Sequence, residues 1–187
     1  MSPAATFTVT TPIDGNDGTC DSNCSLREAI SAANASPGDD VIVFSSSFND
    51  PRTIPLNGTE LRIVNNGTLT INGRGAEFLT INANFSSRII RNDGATVIIN
   101  GVTIAGGTGT GTVSGGLGGA VLNRLGGNLT FNGSKLWGNT ATQGGAIYND
   151  AGSLTLNNTT FYQNMATTGG GAVYSTGALT LNNSNLY

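Results

Sequence analysis

Leu129-Thr130-Phe131-Asn132, Leu154-Thr155-Leu156-Asn157 and Leu179-Thr180-Leu181-Asn182 repeat one alternating apolar and polar pattern at intervals of 25 residues. Between them, Gly119-Ala120, Gly145-Ala146 and Gly171-Ala172 recur at 26. The mismatch locates the turns. From each Ala to the next Leu the spacing falls from 9 to 8 to 7 residues, and an insertion ahead of Gly-Gly-Ala compensates, Thr142-Gln143 becoming Thr167-Thr168-Gly169. Length variation belongs in turns, so strands of constant length are joined by adjustable connections. Within one repeat, GGAIYN, SLTLN and TTFYQN read as three short strands separated by Asp-Ala-Gly, Asn-Asn and Asn-Met-Ala-Thr turns. Three strands per repeat predict a β-solenoid. Alternation turns Leu154 and Leu156 inward, and a coil stacked about 4.8 Å above buries the same positions again.

Towards the N-terminus the pattern persists in Leu69-Thr70-Ile71-Asn72-Gly73, Phe78-Leu79-Thr80-Ile81-Asn82, Arg88-Ile89-Ile90-Arg91 and Thr96-Val97-Ile98-Ile99-Asn100-Gly101. The sequence therefore predicts roughly six or seven coils in a rod about 30 Å long. Gly106 to Gly119, GGTGTGTVSGGLGG, reads as a mobile low-complexity loop between coils. One segment departs from the strand pattern. Ser25 stands at a helix N-cap with Glu28 completing a capping box, and Leu26, Ala29, Ile30 and Ala33 give one apolar face before Asn34 and Pro37-Gly38 end the helix. Such a helix suits the open end of a solenoid, whose unpaired edge otherwise invites aggregation. The expected organisation is one domain: residues 1–40 as N-terminal strand, cysteine turn and capping helix, and 41–187 as β-helix coils with 106–119 a loop.

Composition narrows the chemistry. The 187 residues include 28 glycines, no histidine and only 10% charged side chains, with a net charge of −3. Without histidine, His-dependent triads, His-ligated zinc and His acid–base catalysis are excluded. Without a basic cluster, neither nucleic acid nor an anionic membrane finds its electrostatic footprint. No apolar run reaches membrane-spanning length, and Met1-Ser2-Pro3-Ala4-Ala5 lacks the regions of a signal peptide. Cys20 and Cys24 lie in the turn-rich DGNDGTCDSNCSL, where a local disulfide is the simplest use of two cysteines and implies an oxidising compartment; reduced surface thiols are the alternative. A mature secreted protein bearing an added initiator Met fits these features.

Cys24-Ser25-Leu26-Arg27-Glu28-Ala29-Ile30 resembles the CSLREA motif that opens many secreted bacterial right-handed β-helix proteins. GGAIYN, with Phe161-Tyr162-Gln163-Asn164, resembles the GGA[ILV] and FxxN repeats of chlamydial polymorphic outer-membrane proteins. The resemblance implies a right-handed parallel β-helix on or outside the cell, in a group whose members are mostly surface-exposed, autotransported or anchored, and often adhesin-like. This chain departs from them by stopping at Tyr187 partway through a repeat, with no translocator barrel or anchor. It is thus expected to be a fragment, or to meet a partner at an open C-terminal end.

Candidate sites are few. β-helices resembling pectate lyases and polygalacturonases use clustered carboxylates, but Glu77, Asp93 and Asp150 fall at different places in their coils. Arg88 and Arg91 flank a strand and read as solvated outward side chains. Asp14, Asn16, Asp17 and Asp21 invite calcium, although their spacing is not that of an EF-hand and disulfide-stapled Asx turns account for the same residues. Trp137, Tyr162 and Tyr187 recur at 25 and Tyr148 and Tyr174 at 26, which places them in two outer files. Such files either stack on sugars or partners or stabilise coil against coil. Asn139 with Asn164, and Asn132 with Asn157 and Asn182, read as turn ladders. The Thr130, Thr155 and Thr180 file, one threonine per coil, gives thin support to ice binding. The expectation is a non-catalytic extracellular or cell-surface structural, adhesin-like module without cofactor, whose partners are surface glycans, proteins or other copies of itself. The rivals are a filament subunit stacking through its open C-terminal end and a polysaccharide-binding or polysaccharide-degrading β-helix.

Overall fold

The computed structural model describes residues 4–64 and 67–187; the first three residues of the expected N-terminal unit and positions 65 and 66 of the body lie outside the described residues. Three parallel sheets wind into a β-solenoid. Sheet I stacks Ala5–Val9, Asp40–Phe44, Thr68–Asn72, Thr96–Asn100, Asn128–Asn132, Ser153–Asn157 and Ala178–Asn182. Sheet II stacks Arg52–Pro55, Leu79–Asn82, Thr103–Ala105, Lys135–Trp137, Thr160–Tyr162 and Asn185–Leu186. Sheet III stacks Leu61–Ile63, Ile90–Asp93, Val121–Arg124, Ile147–Asn149 and Val173–Ser175. Only about five turns close through all three sheets, fewer than the six or seven coils expected. The excess arises because Ala5–Val9 and the last two strands add layers without completing a coil.

Inward positions repeat from coil to coil. Leu129, Leu154 and Leu179 are in register, as are Phe131, Leu156 and Leu181, and the first two of each file are buried. A fully buried Leu or Phe contributes about 1.5–3 kcal/mol, so each added coil stabilises the one beneath it. The Gly-Gly-Ala motif has a steric cause. Its first glycine takes a left-handed conformation (Gly144 φ 62°), while a Cβ on the second would lie 2.0 Å from the next coil's backbone, Gly119 against the Gly171-equivalent carbonyl of Gly145 and Gly145 against that of Gly171. Ala120 and Ala146 then fill the interior.

The segment read as an Asn-Met-Ala-Thr turn is instead a strand. Met165–Gly169 pairs with Thr140–Gln143 in a two-stranded ribbon, and the register shifts between Ala141 and Gln143, where the sequence placed its length variation. At the N-terminal end, helix α1 (Leu26–Ala35) packs on Ala5–Val9, Asp40–Phe44 and Leu61–Ile63. Ser25 Oγ accepts from the Glu28 amide and Glu28 Oε2 accepts from the Ser25 amide, the reciprocal cap that the sequence predicts. Leu26, Ala29, Ile30 and Ala33 are buried against the first coil.

Candidate functional site

The main cluster of charge is one the sequence does not announce. Arg88, expected to be solvated, is 0% exposed, and Arg91 is buried as well. The correction has a physical reason: Glu60, one coil earlier, faces them both, its Oε2 accepting from Arg88 Nη1 at 2.6 Å and its Oε1 from Arg91 Nη1 at 2.6 Å. Loop 106–119 closes over the pair. Arg88 also donates to the carbonyls of Gly109, Val113, Ser114, Leu117 and Gly118, and Thr112 donates through its amide and hydroxyl to Glu60 Oε1. The glycine-rich stretch is therefore tied down at many points, contrary to its reading as a mobile loop. Gly111 is glycine for want of room, since a Cβ there would lie 2.3 Å from Arg88 Nη1 and Glu60 Oε2. Burial pushes the Arg88 guanidinium below its ordinary value, and Glu60 opposes the shift.

Outside this cluster Asp93 accepts from Arg62 Nε at 2.8 Å. Arg91 Nε lies 3.2 Å from the same carboxylate but is not aligned for a hydrogen bond, so the contact is electrostatic. Asp93 and Asp150 are separated by the strand Val121–Arg124, and Glu77 sits at another corner beside Gly75, so the three carboxylates do not converge.

The calcium candidates part company. Asp14 is buried and paired with Arg27 through two 2.8 Å bonds, and it accepts from the Asn57 amide. Asp21 accepts from the Asn23 amide. Asn16 and Asp17 line a cleft of about 280 Å³ with Glu28, whose Oε1 accepts from the Asp17 amide at 2.8 Å. Hydrogen bonds from the Thr19 amide and hydroxyl hold the Asp17 carboxyl below its usual range. Among the described residues no group of three or more His, Cys, Asp or Glu is placed to share a cation. Cys20 and Cys24 form a disulfide across this turn.

The aromatic files are real but short. Trp137 and Tyr162 are in register and stack with centroids 5.8 Å apart, and Tyr148 stacks on Tyr174 at 5.1 Å. Tyr187 lies beyond the last paired residue, Leu186, and is 78% exposed. The ring faces turned towards one another are spent on the neighbouring coil. Burial, and next Asp150, push the Tyr148 phenol above its ordinary value.

Amide ladders run through the rod. Asn100, Asn132, Asn157 and Asn182 each donate to the asparagine one coil earlier at 2.7 Å, starting from Asn72. Asn139 donates to Asn164 at 2.9 Å, as read from the sequence. A further ladder inside sheet III, Asn92 to Asn123 to Asn149, is fully buried; its signal was the 26-residue spacing of Asn123 and Asn149.

Fold and site together define a parallel β-solenoid with a disulfide-braced helical cap, its ionisable groups largely committed to holding loops. Among the described residues no helix is long and apolar enough to cross a membrane. Comparison with protein-family models, curated proteins and solved structures finds no match.

Proposed function

We infer that this chain is a non-catalytic structural, adhesin-like module that presents the faces of a rigid rod outside the cell. The observation that carries this reading is the fate of the charged cluster. Glu60, with both oxygens engaged by Arg88, Arg91 and Thr112, fixes a surface loop and is poorly placed to exchange a proton with a substrate. The disulfide and the CSLREA-like cap support an extracellular setting. The test is binding of the immobilised chain to arrays of extracellular glycans and matrix proteins, run beside a polysaccharide-cleavage panel. Saturable binding without turnover is expected; cleavage of any polysaccharide overturns the reading.

A further inference from the structure

Sheet I carries three outward files, the middle one in register across all seven strands and its two flanks across the last five. The middle one runs Thr6, Val41, Thr70, Ile98, Thr130, Thr155, Thr180 across all seven strands. Thr68, Thr96, Asn128, Ser153 and Ala178 flank it on one side, and the Asn72-to-Asn182 ladder on the other. None of these side chains is charged, in a chain whose acidic groups outnumber its basic ones by 11 to 8; the first charge met is the exposed Asp39 at the N-terminal end of the first flanking file, where it accepts from the Thr68 amide at 2.7 Å. The flanking files bond largely among themselves, through the asparagine ladder and through Ser153 donating to Asn128 at 2.7 Å. The middle file does not: among the described residues the hydroxyls of Thr6, Thr70, Thr130, Thr155 and Thr180 have no protein partner, and all five are half-buried or exposed.

We propose that this face of sheet I binds ice. β-branched side chains are stiff at χ1, so the file holds a methyl group on every strand at intervals of about 4.8 Å along the rod, and hydroxyls at the same interval on the three consecutive strands of Thr130, Thr155 and Thr180, with about 6.6 Å between files. Each hydroxyl offers one donor and two acceptors, much as a lattice water does, and each methyl borders water without taking a hydrogen bond from it. An uncharged face suits an uncharged lattice; a charged side chain would keep its own hydration shell and break the array. The same composition disfavours the other occupants. Sugar rings call for aromatic faces, and protein interfaces draw on Trp, Tyr and Arg anchors, and none of these occurs in the three files.

The inference rests on the display reading only in placing the rod outside the cell. Its test is ice affinity of the full 187-residue chain: partition of labelled protein into a slowly grown ice hemisphere, with thermal hysteresis and crystal shape recorded alongside. Wild type is expected to enter ice and facet the crystals. Thr130→Lys is expected to lower partition by about tenfold, since it sets an unpaired charge against an uncharged partner. Lys135→Ala, on the outer face of sheet II, keeps wild-type partition. If Thr130→Lys lowers the melting midpoint, Thr155→Lys, one coil along, replaces it. Exclusion of wild type from ice, with unshaped crystals, overturns the proposal, as does retention on crystalline cellulose that Thr130→Lys abolishes, or a solution dimer that the same change dissociates. Glycan or protein binding without ice affinity removes this inference and leaves the display reading; failure in both assays removes both.

Discussion

Arg88→Met tests whether the buried ion cluster holds the long loop in place. The substitution keeps a long apolar stem but removes the guanidinium that bonds Glu60 and five loop carbonyls. Removing one partner of a buried pair costs about 3–5 kcal/mol, because the remaining charge stays desolvated. Arg91 still faces Glu60, and the freed carbonyls can reach water if the loop lifts, which places the expected loss near the lower end, about 3 kcal/mol. Against a total stability of about 5–15 kcal/mol this is a large share. With a urea slope of about 2 kcal/mol per molar, the midpoint falls by about 1.5 M. Circular dichroism through a urea series measures that shift, and hydrogen exchange reports the amides of 106–119, which should lose protection ahead of the coil strands. Glu60→Gln combined with Arg88→Met should cost less than the sum of the two single changes, since the pair fails together. A loss below about 1 kcal/mol for Arg88→Met, with the loop amides as protected as before, would refute the reasoning.

Asn123→Ala removes the middle of the buried ladder, leaving Asn149 Oδ1 without its donor and Asn92 Nδ2 with only the Ala95 carbonyl; a loss of about 2–4 kcal/mol by urea unfolding is expected, at about 1–3 kcal/mol per unpaired group. Ser25→Ala breaks the reciprocal cap and its bond to the Gly15 carbonyl, which should cost about 1 kcal/mol and show first as faster exchange in α1. The folded pKa of Tyr148 is raised above its unfolded value, so its contribution to stability is complete below pH 10 and is lost as pH rises through the folded value. Phenolate absorbance should therefore show one tyrosine titrating late, and Asp150→Asn should bring it earlier; an unchanged curve would remove Asp150 as a cause.

The repeat arithmetic made the solenoid legible because stacking imposes the same demand on every coil. Leu154 and Leu156 can be buried only if Leu129 and Phe131 below them point the same way, so the pattern must recur in sequence. The helix cap was equally plain, since Ser25 and Glu28 satisfy each other within three residues. Strand and turn were harder to separate where the period slips, which is why Asn164 to Thr167 read as a turn although Met165–Gly169 is a strand.

Local spacing therefore determined the fold class, the cap, the short disulfide and the aromatic files. Tertiary structure alone decided the state of the charges and the hydroxyls. Whether Arg88 meets water or carbonyls depends on where Glu60, 28 residues earlier, and a loop 21 to 30 residues later come to rest. No periodicity marks that meeting, because it happens once in the molecule. The free threonine file is the converse case: its residues are periodic, but only the complete set of cross-coil bonds shows which files satisfy their own hydrogen bonds and which leave hydroxyls open to whatever lies outside.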